Sequence, residues 1–262
     1  MLYKLNWLVG NTYPGSLVAQ KWLSANNISY SLTQKYTESG WLKKLDAGLY
    51  YRPDPNKEYL PDWLNAFSVL SKQLHLPVHL AGLSSLSHQG LGHYLQLGKE
   101  LIWIGVKDKQ SLPSWFRSFH GYEWQYSRCS KLSELNDKDF TSVSVRGVAV
   151  KASCPELAAY EVVDAIGGHI SFEHVAELFQ GLVNLSPRKV QSILNRSGSI
   201  QTNRIFLFLG RNYAHQWYKK IDESKINKGS GKRQVIKGGK LDERYQITVP
   251  ESLVFKDGGN NG

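Results

Sequence analysis

The chain has 262 residues, of which 41% are hydrophobic and 12% aromatic, and a formal net charge of +10. That excludes a disordered polyelectrolyte, leaves room for one or two domains with a core, and points to a polyanionic partner, most often nucleic acid. Only two cysteines are present, Cys129 and Cys154, which excludes a disulfide framework and suits a reducing compartment, so a cytoplasmic location is expected.

The first residues, MLYKLNWLVGNTYPG, hold a short apolar run that Asn6 interrupts and GNTYPG ends. No signal peptide or membrane span is expected there or further along. SLVAQKWLSA, residues 16–25, predicts a helix with Ser16 as N-cap and Val18, Ala19, Trp22 and Leu23 as its apolar stripe. After a turn at Asn26-Asn27, ISYSLTQKYTESG predicts a second helix. Ile28, Leu32 and Tyr36 would face inward, and Gly40 would end it. Its opposite face carries Tyr30, Thr33, Gln34 and Thr37, flanked by Ser31 and Lys35. WLKKLDAGLYYRPD then reads as a hairpin turning at Asp46-Ala47-Gly48.

Helix, turn, helix and basic hairpin outline a winged helix-turn-helix over residues 1–56. Its second helix would enter a DNA major groove and its hairpin would lie on the backbone. Ser31, Thr33, Gln34, Lys35 and Thr37 are the candidates for base edges and phosphates; Lys43, Lys44 and Arg52 are the candidates for phosphates alone. A small helical domain with a polar surface would give the same pattern.

Residues 57–255 read as a second, α+β domain; a helix at 61–74 could belong to either domain. His75, His79, His88 and His93 have no carboxylates or cysteines nearby to complete a metal site, and no metal or cofactor is expected. Strands are expected at 101–106, 122–126 and 141–153, the last with a turn at Arg146-Gly147. Ser153 and Glu156 have the spacing of a capping box around Pro155. Helices then follow from Pro155, at 171–183, at 186–197 and over roughly 200–220. YQITVP, 245–250, is the closing strand, and 256–262 reads as a frayed tail. Strands first, a run of helices and one closing strand make the class α+β.

No catalytic constellation is complete. There is no nucleophile elbow and no HExxH spacing. Glu161 and Asp164 read as a solvated pair on one helix, and Cys154 as a structural thiol. KGSGKRQVIKGGK, 228–240, looks like a phosphate-binding loop, but Ile226 stands where the first glycine belongs and Arg233 where a hydroxyl belongs. As the Gly-Ser motif of a nucleotidyltransferase, the segment would need a carboxylate at position 244, which is Arg244. What remains is a basic segment: residues 204–240 hold ten Lys/Arg against two acids. It serves either as a binding face or as a solvated loop.

Two stretches, GWLKKLDAGLYYRP and GLVNLSPRKVQSILNRS through GSGKRQVIKGGKLDERYQITVP, resemble the AbiEi antitoxin family of bacterial type IV toxin–antitoxin systems. The order GSGKRQ, KGG, YQITVP is the more specific part. The resemblance implies a non-enzymatic regulator. Its N-terminal winged helix would bind inverted repeats in the double-stranded promoter DNA of its own operon and repress it. Its C-terminal domain would oppose a cognate nucleotidyltransferase toxin in phage abortive infection, not necessarily by contact. On that resemblance Thr33, Gln34, Lys35 and Thr37 match the recognition helix, and Lys43, Lys44 and Arg52 the wing. Lys228, Lys232, Arg233, Lys237 and Lys240 match a basic face of the antitoxin domain. A regulator without antitoxin activity and a nucleic-acid-processing enzyme are the alternatives.

Overall fold

The computed structural model of the chain describes residues 2–56, 61–92 and 100–254. His93 and the tail at 256–262 lie outside them. Two compact units are present: Met1–Val78 with Lys109–Trp124, and His79–Asp108 with Gln125–Gly262.

The first unit opens with helix α1 (Leu2–Asn11), followed by strand β1 (Leu17–Ala19), α2 (Gln20–Ala25) and α3 (Tyr30–Glu38). Strands β2 (Lys43–Asp46) and β3 (Leu49–Tyr51) form the expected hairpin. The helix expected from residue 16 begins only at Gln20. Leu17, Val18 and Ala19 pair antiparallel with Tyr51, Tyr50 and Leu49, giving a sheet of order β1-β3-β2. Backbone pairing with a distant segment overrides the local helical pattern. Leu8, Val18, Leu23, Ile28, Tyr36, Leu42 and Tyr50 form the core of this winged helix-turn-helix.

The helix expected at 61–74 is α4 (Trp63–Ser68) continued by a π-helical turn, Val69–Gln73. Asp62 caps it by accepting from Leu64 N and Asn65 N, while Asn65 reaches back to Asp62 N. The segment lies in the first unit. Gln73 accepts from Ala19 N at 2.9 Å and donates to Leu17 O at 2.7 Å, covering the outer edge of β1.

The remaining strands are β4 (Val78–Leu80), β5 (Glu100–Val106), β6 (Tyr122–Ser127), β7 (Phe140–Val145) and β8 (Val148–Ser153). They make a sheet of order β6-β5-β4-β8-β7, with β4 parallel to β8 and β7 antiparallel to β8. Helices α5 (Gly82–His88) and α6 (Ser114–Arg117) fall between these strands. Then come α7 (Pro155–Asp164), α8 (Phe172–Gly181), α9 (Pro187–Arg196) and α10 (Ile200–Asn212), and a hairpin of β9 (Lys240–Asp242) with β10 (Ile247–Val249). The α+β class holds.

The core of the second unit runs from Trp103 through the faces of α7 to α10 and reaches Tyr245, Ile247 and Val249. Arg196 anchors α9: its guanidinium forks onto Asp139 at 2.7 and 2.9 Å and donates to Glu134 O. The fourth helix of the run ends at Asn212, before Trp217, which is nevertheless buried.

Two local expectations at α7 fail. Ser153 and Glu156 do not form a capping box: Ser153 Oγ donates to Glu161, and Glu156 accepts from Ser186 N. Glu161 is not on a solvated face. It is 2% exposed and also accepts from Gly82 N at 2.8 Å, with His79 Nε2 at 3.3 Å. A buried carboxylate needs several donors, and the first residue of α5 supplies one.

Candidate nucleic-acid interfaces

The second helix of the winged unit is set by Ser29, whose hydroxyl accepts from Leu32 N and caps α3. Ile28 and Tyr36 are buried beneath it. Tyr30, Ser31 and Lys35 are exposed, and Gln34 and Thr37 are half-buried. Lys35 has no ion pair among the described residues.

Thr33 is a correction. It is fully buried, and its hydroxyl donates to Ser29 O at 3.1 Å. At 100° per residue, position 33 shares a face with 29 and 36, so it packs inward and does not reach DNA. Thr37 turns its hydroxyl back onto Thr33 O at 2.9 Å, and Ser31 meets Ser29 Oγ at 3.0 Å. On this helix the outward polar set reduces to Ser31, Gln34, Lys35 and Thr37, with Tyr30 beside them.

On the wing, Lys43 and Lys44 are both exposed and have no ion pair among the described residues. A bulge between Lys44 and Asp46 shifts the register of β2 against β3. Arg52 differs from them. Its Nη1 donates to Val9 O at 3.0 Å and to Thr12 O, so it satisfies carbonyls at and just past the end of α1. One edge of the guanidinium is thus a structural tie, and the residue is half-buried.

In the second unit the basic segment also divides. Lys228 pairs with Glu223 at 2.9 Å, and Lys240 pairs with Glu251. Both pairs are open to solvent, Lys240 more so, and each lysine keeps a solvent-facing side of its ammonium. Lys232 and Lys237 are exposed. Arg233 is half-buried in a strand-like stretch: its N–H donates to Gln246 O at 2.9 Å, and its carbonyl accepts from Thr248 N.

Glu223 is a hub that no local pattern announces. It accepts from Tyr218, Tyr245, Lys228 and Arg244, at 2.7 to 2.9 Å. Burial opposes its ionisation, but the hydrogen bonds from Tyr218, Lys228 and Tyr245 outweigh burial and bring its pKa from 4.5 to about 2. A depressed carboxyl contributes stability that is complete above its unfolded value and lost as pH falls through its folded one. Glu223→Gln should therefore cost roughly 2–3 kcal/mol at neutral pH. The difference from wild type should shrink as pH falls from 4.5 towards about 2. Urea unfolding of both proteins at neutral and acid pH checks this; a gap independent of pH would refute it.

Buried polar groups of the second unit gather around Glu161. Glu161, His79, Ser153 and Cys129 form one closed cluster, with Cys129 Sγ 3.5 Å from Glu161. Burial pushes the Cys129 thiol well up, and pushes Cys154 up to about 12, so neither is an activated nucleophile. Among the described residues, no group of three or more His, Cys, Asp or Glu is arranged to hold a metal ion. None of the described helices is long and apolar enough to cross a membrane.

The fold has a solved counterpart. The crystal structure of the RV2827C protein from Mycobacterium tuberculosis superposes with a TM-score of 0.61 at 15% identity, covering 93% of this chain and 88% of that one. At that identity the likeness concerns the fold alone. No curated protein matches the sequence. Residues 1–97 match the model of the transcriptional regulator AbiEi antitoxin N-terminal domain. Residues 99–250 match that of the transcriptional regulator AbiEi antitoxin of type IV toxin–antitoxin systems. With a winged helix-turn-helix ahead of an α+β domain, and family matches over nearly its whole length, the chain belongs to the AbiEi family of antitoxins and transcriptional regulators.

Proposed function

We propose that this chain binds the promoter DNA of its own operon through the winged helix and represses it, and that its C-terminal domain opposes a cognate nucleotidyltransferase toxin. The observation that carries the DNA reading is the outward face of α3, with Lys35 and the wing lysines Lys43 and Lys44 lacking counter-ions among the described residues. In this reading Gln34, Ser31 and Thr37 meet base edges or phosphates, and the three lysines meet phosphates. The test is fluorescence anisotropy on the chain's own upstream DNA against a scrambled duplex of equal length, at low and moderate salt. Specific DNA should bind roughly 10³-fold tighter or more. Equal affinity for both duplexes would refute base reading and leave only an electrostatic binder.

The antitoxin part rests on family membership and on the exposed cations of the C-terminal segment, Lys232 and Lys237. Co-expression with the neighbouring toxin should restore growth. If the protein binds its promoter yet leaves the toxin active, it is a regulator without antitoxin function.

A further inference from the structure

Arg204 is a cation in an unusual place. It lies inside α10, is 4% exposed, and has no carboxylate partner among the described residues. Its Nε donates to Lys228 O at 2.6 Å, and its Nη1 to Gly231 O at 2.7 Å and Gln246 O at 3.2 Å. Its Nη2 has no acceptor among the described residues. The neighbouring charge is of the same sign: burial, and then Arg233, pull the Arg204 pKa down. A buried guanidinium is normally matched by a carboxylate or phosphate, because carbonyl dipoles alone offset its charge incompletely.

The loop that Arg204 holds carries two glycines in a conformation that other residues rarely adopt. Gly229 and Gly231 both have left-handed φ, +54° and +74°. At Gly229 a Cβ would also lie 2.5 Å from Ile200 Cδ1, so a larger residue would be strained by its φ and would have to displace the Ile200 side chain. Left-handed residues within a turn direct successive backbone N–H groups into one concavity, the arrangement that cradles anions. The amides of Ser230, Gly231 and Lys232 have no acceptor among the described residues. Arg233 Nε is buried and also unpartnered. The Lys228 and Gly231 carbonyls accept from Arg204, and the Lys228 ammonium pairs with Glu223. Donors are left over on this loop, and no carboxylate among the described residues meets them.

We propose that the loop Lys228–Arg233, with Arg204 beneath it and Arg233 at its end, is a seat for one phosphate group of a nucleotide or polynucleotide. The seat differs from a P-loop in holding its cation from below, by an arginine of another helix, and in needing no hydroxyl for Mg²⁺. It depends on the antitoxin reading only for its biological use, since phosphate recognition by the loop stands without a toxin or a promoter.

The test is a ¹⁵N NMR titration of the full chain with inorganic phosphate, uridine monophosphate and a short single-stranded oligoribonucleotide. All three are repeated on Lys43→Gln/Lys44→Gln, so that the winged helix does not capture the oligonucleotide. Shifts should concentrate at the amides of Ser230, Gly231 and Lys232 and at the Arg204 and Arg233 Nε signals. Arg233→Gln should weaken binding about tenfold or more, the loss of a charge-assisted hydrogen bond. Lys237→Gln, an equal charge change nearby, should stay within about twofold. Saturation by the monophosphate as readily as by the oligonucleotide assigns the seat to a nucleotide; much tighter oligonucleotide binding assigns it to a strand. No localised shift in the wild type, or equal losses in Arg233→Gln and Lys237→Gln, would overturn the proposal. Promoter binding unaltered by Arg233→Gln and Lys237→Gln would show that the winged-helix reading stands apart from that failure.

Discussion

Lys43→Gln/Lys44→Gln should weaken binding to promoter DNA roughly ten- to thirtyfold at physiological salt and reduce the slope of log affinity against log salt by about two. Both side chains leave β2 into solvent, and neither has an ion pair among the described residues, so each can release a counterion from the DNA. The fold should be untouched, because no described contact depends on either ammonium. Arg52→Gln should behave differently. It removes the donor that satisfies Val9 O and Thr12 O, so it should lower the unfolding midpoint while leaving the salt slope close to that of the wild type. Anisotropy across a salt series, with thermal unfolding of each variant, separates the two. If the lysine pair leaves affinity and slope unchanged, the wing does not lie on DNA. Thr33 belongs with Arg52: its burial makes Thr33→Val a stability variant, with no change in base preference expected.

Gly105→Ala should destabilise the second unit by about 3 kcal/mol or more. Gly105 lies in β5, where a Cβ would sit 2.0 Å from His79 Cε1 and Nε2. The imidazole cannot swing aside easily. It is buried, its Nε2 is 3.3 Å from Glu161 Oε1, and its ring meets Phe140 edge-on at 4.8 Å. Glu161 is itself tied to Gly82 N and Ser153 Oγ. The strain would therefore pass into the start of α5 and the end of β8. His79→Ala in the Gly105→Ala background should recover part of the loss, a coupling of at least about 1 kcal/mol. Urea unfolding of the four proteins of this cycle measures it. A Gly105→Ala stability within about 0.5 kcal/mol of wild type would show that the ring and strand can part.

The sequence by itself determined the elements whose signal is local. The wing was legible in Lys43-Lys44 and the Asp46-Ala47-Gly48 turn. The pair β7–β8 was legible from its alternating valines and Arg146-Gly147 turn, which adopts positive φ at both residues. Helices α3, α8 and α9 follow their apolar stripes, and Ser29 and Ser171 cap the first two as serines do. Family resemblance lay in the same local strings.

Tertiary structure alone decided what depends on partners far along the chain. Residues 17–19 became a strand because Leu49–Tyr51 offered a backbone edge. Thr33 turned inward because the apolar face of α3 is broader than its leucine and tyrosine spacing suggests. The charged residues were the least legible. A sequence shows how many cations a segment holds, but not which are already spent. Arg52 is tied to Val9 O and Thr12 O, Lys228 pairs with Glu223 and Lys240 with Glu251, while Lys232 and Lys237 stand exposed without such a partner among the described residues. Arg204, hidden in an apolar helix twenty-four residues before the loop it holds, gives no local signal, because its meaning arises only when Lys228 O and Gly231 O fold against it. Charge acts through space, and only the fold sets those distances.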